Sequence, residues 1–593
     1  MKKKAYIGFI FCALLLLFFI QSNSTNEYNL PIRRNNINPI SISSESIDVL
    51  IKTDEFQVNN YTSNNQIHPT LCALSEDTFA VAWSSQVQDG SQYGIYASVF
   101  NATTGQNTTA EFRVNYNTNN FQWYPDIAAL SEDLFVVAWQ SLEQDSDEYG
   151  IYARVFNATT GQNTTAEFRV NYNTTDDQQN PSVAALSEDS FVVAWQTNET
   201  YDENDLWNVK ARVFNATTGE NITAEFQVNH FTDLDQFLPD ISALSEDLFA
   251  VTWASWGQDG SSMGIFANVF NATTGINITA EFQVNDYYVN YQSYPSICAL
   301  SEDTIAVAWE DWIQEESLNR GIYARLFNAT TGTNITAEFH ANFNTTDNQE
   351  RPSISALTED SLVITWRSNG QDGNGYGVFG RIFNATTGTN FTAEFQVNNY
   401  TTNNQEFPDI ATLSEDNFAI AWESFEQDTG EDIYSRVLYL NYPPIHSGEP
   451  PSDFSYTYGS TGNEIIWTFI DDTISTPNYT VYNNNISISI HTNKLWSSGV
   501  PITVDVDGLA VGNYNFTIII EDGLGGITQD QVNITVNETE GNDRGGNLGL
   551  ILALAETPSI ENIPSYPLTF LTLTLIISII SIIQMIRKRS YFL

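Results

Sequence analysis

The chain has 593 residues and carries 22 Lys plus Arg against 72 Asp plus Glu, a formal net charge of -50. A surface that acidic repels phosphate backbones and excludes a nucleic-acid partner. Hydrophobic residues make up 42% and aromatics 13%, too many for a disordered chain. Three cysteines, Cys12, Cys72 and Cys298, build neither a disulfide framework nor a Cys-based zinc site.

Met1-Lys2-Lys3-Lys4 and the apolar run Ala5 to Ile20 read as a secretory signal peptide over residues 1–24, with an uncleaved anchor as the alternative. A lead segment, 25–53, follows. From residue 54 to 440 the chain repeats. Trp83, Trp139, Trp195, Trp253, Trp309, Trp366 and Trp422 are separated by 56, 56, 58, 56, 57 and 56 residues. Each unit holds four short runs rich in Val, Ile, Phe and Tyr, bounded by turn residues. These are a Pro-x-x-Ala-Leu run (strand a), the Trp run (b), Ile-Tyr-Ala-Arg-Val-Phe (c) and Glu-Phe-Gln-Val-Asn (d). Four strands per unit and seven units predict an all-β, seven-bladed β-propeller; an open β-solenoid is the alternative. Asp54-Glu55-Phe56-Gln57-Val58-Asn59 is a d strand without a blade, and the seventh repeat lacks one. The N-terminal strand is therefore expected to fill that gap and remove the open edge.

The repeat resembles one found in large prokaryotic, archaeal-type cell-surface proteins. Its Pro-Ser-x-Ala-Ala-Leu, Ala-Trp, Gln-Asp-Gly, Tyr-Gly-Ile-Tyr-Ala-Arg and Glu-Phe-Gln-Val-Asn segments carry the likeness. The resemblance implies an extracellular, adhesin-like context and supplies no reaction.

Residues 441–537 lose the repeat and predict one all-β sandwich, with strands from Trp467 to Val536. Gly512-Asn513-Tyr514 and Asp522-Gly523-Leu524-Gly525-Gly526 resemble the end of prokaryotic cadherin-like and immunoglobulin-like modules. That resemblance raises calcium as a cofactor, with Asp505, Asp507 and Asp522 as ligands; a single module leaves the point open, and no other cofactor is expected. Residues 538–565 read as a flexible stalk and 566–586 as a transmembrane helix. Leu568 to Met585 holds no charge and precedes Arg587-Lys588-Arg589, which opens a cytoplasmic tail at 587–593. The expectation is a single-pass type I protein of the cell membrane, with the bilayer as a partner and the ectodomain outside.

More than twenty Asn-x-Ser/Thr triplets fit an external location. Asn101, Asn157, Asn215, Asn271, Asn328 and Asn384 recur at one repeat position and are expected to be glycosylated. Glu-Asp pairs from Glu76-Asp77 to Glu415-Asp416 also recur at one turn, as do the strand c arginines Arg154, Arg212, Arg325, Arg381 and Arg436. Catalysis breaks symmetry whereas turn formation repeats, so both sets read as structural. The Gln-Asp-Gly turns at Gln88, Gln258 and Gln371 could hold calcium, although tight hairpins explain them more simply. Cys72 and Cys298 read as small buried thiols. Trp123, Trp207, Trp256 and Trp312 depart from the repeat, fall in consecutive blades on the rim of the d–a and b–c loops, and are the candidate ligand-binding residues. The functional expectation is a non-enzymatic surface protein that recognises extracellular glycan or protein. A structural envelope glycoprotein is second, and a glycoside hydrolase borne by the propeller is third.

Overall fold

The computed structural model describes residues 47–539 except 199–205, 313–318, 428–429, 472 and 487. The expected signal peptide, transmembrane helix and tail, and all but the edges of the lead segment and stalk, lie outside the described residues. Among the described residues no helix is long and apolar enough to cross a membrane.

Seven sheets of one plan follow one another. In the first, strands a (Gln66–Ser75), b (Thr78–Gln86), c (Tyr93–Asn101) and d (Phe112–Arg113) pair antiparallel in that order. The remaining a strands begin at Gln122, Gln178, Gln236, Gln292, Gln349 and Gln405. Strand b of the first blade is buried along seven consecutive residues rather than alternately, because both of its faces meet a neighbouring blade. The apolar cores are accordingly shared between blades: Ala80 and Val99 of the first pack with Phe135 and Trp139 of the second. The series ends where Ala411 and Ala421 of the seventh meet Leu71 and Phe79 of the first. The ring is closed, and the domain is a multi-bladed β-propeller. All seven repeat tryptophans are 0% exposed in these cores; truncating one to Ala costs about 3–5 kcal/mol.

The closure follows the sequence-based expectation and adds to it. Phe56 and Gln57 pair with Ser435 and Tyr434, supplying the missing d strand. The lead segment adds a further strand: Asp48–Ile51 pairs with Leu438–Asn441 on the same seventh-blade strand. Thr53 Oγ1 then accepts from the Val437 amide at 2.9 Å, as Thr109 Oγ1 does from Val99 at 3.0 Å in the first blade. The N-terminal segment thus replaces the seventh c–d turn as well as strand d.

The d strands are shorter than their apolar runs imply, two residues each. After Phe112–Arg113 and the Val114 amide bond to Ile95, the side chain of Asn115 takes over the ladder, its Oδ1 accepting from the Ile95 amide at 2.8 Å. Asn171, Asn229, Asn285, Asn342, Asn398 and Asn59 repeat the substitution.

Residues 441–537 form their own sheets. Phe454–Thr457 runs parallel to Ile527–Asn537, which continues through Gly512–Glu521 and Asn478–Asn483 to Ile488–Leu495. Glu464–Trp467 pairs with Ile502–Asp505. Trp467, Trp496, Val504, Ile518 and Ile534 share one core between them.

Candidate functional site

Every strand a carries the same irregularity. In the first blade Ile67 pairs with Ser84 and Thr70 with Ala82, so His68 and Pro69 together oppose Trp83. Such a bulge bends the strand and re-aims a side chain. The residue before the proline adopts a left-handed backbone in all seven blades: His68, Tyr124, Asn180, Leu238, Tyr294, Arg351 and Phe407 have φ between 49° and 55°. A non-glycine residue there costs about 1–2 kcal/mol, and strain repeated around a ring is held by the surrounding fold. The seven side chains and their prolines line an axial funnel of about 300 Å³.

Two rings result. Below the variable ring lie Thr70, Asp126, Ser182, Asp240, Ser296, Ser353 and Asp409. Asp126 accepts from the Thr70 hydroxyl at 3.0 Å and from the Val183 amide at 2.6 Å, linking the blades on either side of it. Asp240 does the same with Ser182 and Ile297, and Asp409 with Ser353 and Leu71. Burial pushes the Asp126 carboxyl up to about 7, opposed by the Val183 amide and reinforced by Asp240 and Asp409. Asp240 and Asp409 move in the same direction for the same first reason. One role used three times is a girdle, not a reaction centre.

The mouth is asymmetric. Over blades seven, one and two it is aromatic: His68 stacks on Tyr124 with ring centroids 4.2 Å apart and meets Phe407 edge-on at 5.0 Å. Burial, helped by the Arg351 charge, drops the His68 imidazole to about 3, so the ring is neutral. Over blades five to seven a charged cluster adjoins the funnel: the Arg367 guanidinium carbon lies 5.5 Å from the Phe407 ring centroid, and Glu310 accepts the Arg351 amide. Arg320 Nη1 lies 2.6 Å from Glu350 and 3.6 Å from Glu310; Arg367 bonds Glu350 and reaches Glu406 at 2.9 Å. Glu406 pairs across the strands with Glu423. Among the described residues Glu423 forms no ion pair with a Lys or Arg; its Oε1 accepts the His68 amide at 2.5 Å and lies 3.6 Å from the neutral His68 Nδ1. Burial raises its carboxyl well above the usual range, opposed by the His68 amide and the Arg367 charge and reinforced by Glu431 and Glu406.

The four sequence-predicted tryptophans do not share one environment. Trp123 lies within strand a and stacks on Tyr93 at 5.2 Å and Tyr124 at 5.4 Å, joining the aromatic wall. Trp207 opens strand c beside Phe237. Trp256 is 37% exposed and meets Tyr291 at 5.7 Å, which in turn meets Trp312 at 5.0 Å. Trp312 donates its indole N–H to Glu310 at 2.9 Å and lies under Arg320 at 3.7 Å. The repeated arginines act as bolts between blades: Arg154 Nη1 donates to Val114 carbonyl oxygen at 3.0 Å, and Arg212, Arg325, Arg381 and Arg436 do likewise.

The Gln-Asp-Gly turns are engaged internally. Gln88 accepts from Ser85 and donates to Glu111 at 2.5 Å, while Asp89 accepts from the Ser91 amide at 3.1 Å. Asp522 is taken up by the amides of Leu524, Gly525 and Gly526 and by Asn441, and Asp507 by Gly462 and Asn463. Among the described residues no group of three or more His, Cys, Asp or Glu is placed to hold a metal ion. Cys72 and Cys298 are free and buried, and burial pushes both thiols up.

No family model matches the chain, and no curated protein matches it. Similar solved structures span the propeller at low identity. The β-propeller domain of the trilobed protease from Pyrococcus furiosus is 8% identical, with 64% of this chain and 94% of that one covered and a TM-score of 0.38. An α-L-arabinofuranosidase from Fusarium graminearum is 11% identical over 66% and 97%, TM-score 0.33. An α-L-arabinanase from Penicillium chrysogenum is 11% identical over 67% and 98%, TM-score 0.35. The likeness is one of fold. The expectation of a surface adhesion protein is not carried further, as the similar structures include glycoside hydrolase propellers.

Proposed function

We propose that the funnel is the active site of a glycoside hydrolase, with Glu423 as general acid and Glu406 as its partner carboxylate. The observation that carries this is a pair of cross-strand carboxyls in opposite environments. Glu423 is buried and, among the described residues, in ion-pair contact with no Lys or Arg, whereas Glu406 is ion-paired to Arg367. Environments that push two carboxyls apart assign an acid and a base. Glu423 gives its proton to the departing glycosidic oxygen, while Glu406 serves as base toward water or as nucleophile at the anomeric carbon. The neutral His68 ring, Tyr124 and Phe407 supply flat faces for a sugar.

The secretory leader, cadherin-like module and C-terminal helix read from the sequence belong to the same proposal. They would set the propeller on the outer side of a membrane. Glycans on Asn101, Asn157, Asn215, Asn271, Asn328 and Asn384 would then leave the c–d turns, on the face opposite the mouth.

The test is release of reducing ends by the full chain from arabino-, xylo- and galacturono-oligosaccharides. Glu423→Gln and Glu406→Gln are each expected to lose about 100-fold or more in kcat with unchanged melting temperature. Turnover that survives both substitutions, or no turnover of any of these substrates, removes the hydrolase reading.

A further inference from the structure

We infer that the funnel holds a subsite for a carboxylated sugar, with Arg351 as the group that grips the carboxylate. The inference deepens the hydrolase reading and rests on it for the word sugar; the anion site itself stands on the geometry of Arg351.

Arg351 is the sixth blade's contribution to the variable ring, in the left-handed conformation that turns its side chain into the funnel. Its guanidinium carbon lies 3.5 Å from the ring centroid of Tyr294 in the fifth blade and 4.9 Å from that of Phe407 in the seventh. Aromatic faces hold a guanidinium flat by cation–π attraction and leave its N–H donors unused. The two arginines of the adjoining charged cluster differ, since Arg320 and Arg367 spend their donors on Glu310, Glu350 and Glu406. Among the described residues Arg351 has no such partner, in a chain of net charge -50 with carboxyls on the adjoining strands. Its own amide bonds Glu310 Oε2 at 3.3 Å, which fixes the backbone and leaves the guanidinium to the cavity. The positive charge extends to the opposite wall, where it favours the neutral form of His68 and the ionised form of Tyr124.

A planar fork in the funnel, flanked by Tyr294 and Phe407, matches a bidentate carboxylate on a ring that stacks nearby. A neutral sugar leaves those donors to water. A uronic acid occupies both features at once.

The experiment is titration calorimetry on the full chain carrying Glu423→Gln, so that ligand persists. The probes are trigalacturonate and its carboxyl-reduced counterpart. The acidic trimer is expected to bind at least tenfold tighter; Arg351→Met abolishes that preference without lowering the melting temperature, and Arg351→Lys restores it in part. Equal binding of the two trimers, binding of neither, or a preference that survives Arg351→Met overturns the inference. A wild-type chain that binds trigalacturonate through Arg351 and cleaves nothing keeps the subsite and removes the hydrolase. Cleavage of neutral oligosaccharides, unchanged by Arg351→Met, does the reverse.

Discussion

Arg367 is the hinge of the charged wall, with its guanidinium shared between Glu350, which is 3% exposed, and Glu406. Removing one partner of a buried ion pair strands the other, at about 3–5 kcal/mol. Arg367→Met leaves Glu350 with Arg320 alone and Glu406 partly exposed, so the loss in a urea titration should fall below that range, at about 1–3 kcal/mol, and Glu350→Gln combined with it should recover part of it. The girdle makes a different prediction. Asp126 titrates at about 7 in the fold and near the ordinary 3.9 in the unfolded chain. The folded state binds the extra proton between those values, so this contribution is fully present below about pH 3.9 and is lost as pH rises through about 7. Asp126→Asn should flatten that part of the melting temperature against pH curve by about 2–4 °C; an unchanged slope would place the titration elsewhere. At this scale the sequence was least transparent. The constant part of the repeat begins at the strand a proline, whereas His68, Tyr124 and Arg351 stand one residue earlier. Their variation against an otherwise constant repeat was the available signal. Glu406 pairs with Glu423 inside the seventh blade, but the His68 amide comes from the first blade and Arg367, which holds Glu406, from the sixth, so no linear spacing reveals the pair's environment.

At the level of the strand and turn, neighbouring blades are keyed by a glycine. Gly105 has φ +66° and ends the Asn101-Ala102-Thr103-Thr104 turn; a Cβ there would meet Phe56 of the neighbouring blade at 2.7 Å. Gly161 against Phe112 and Gly219 against Phe168 repeat the fit. Gly90 has φ +94° and open space around it. Alanine at Gly90 should cost about 1–2 kcal/mol from backbone strain alone, and at Gly105 about 1–3 kcal/mol more from the clash. Denaturant midpoints of the two variants check the difference, and equal losses would show that the ring contact is soft. The elements themselves were legible, because turn residues bracket each apolar run. The d strands came out shorter than their runs because an asparagine side chain imitates backbone, which composition does not reveal. The Asp48–Ile51 strand was missed because it belongs to no repeat.

For the whole molecule, the tryptophan period carried the fold, since a unit with two apolar faces needs a neighbour on each side and a ring satisfies all of them. The same near-identity hid the site, because the symmetric majority outweighs a few asymmetric positions. The N-terminal strands complete the seventh blade, and Phe56 packs that blade's outer strand against Phe100 of the first, beside the core that Ala411 and Ala421 share with Leu71 and Phe79. Phe56 is half-buried, so Phe56→Ala should cost about 1–3 kcal/mol, and limited proteolysis should then cut within residues 47–59 before any other segment. Simultaneous cleavage throughout the propeller would mean that the seam and the ring unfold as one unit.

The seam also sets a clock for biosynthesis. Phe56 leaves the ribosome early, but its partner Ser435 is among the last propeller residues to follow. At 5–20 residues per second that interval is on the order of 20–80 s. Throughout it, the first strands wait as an open edge able to pair with any unfinished copy nearby. Polysome crowding thus sets a race between self-closure and exchange of N-terminal strands between nascent chains.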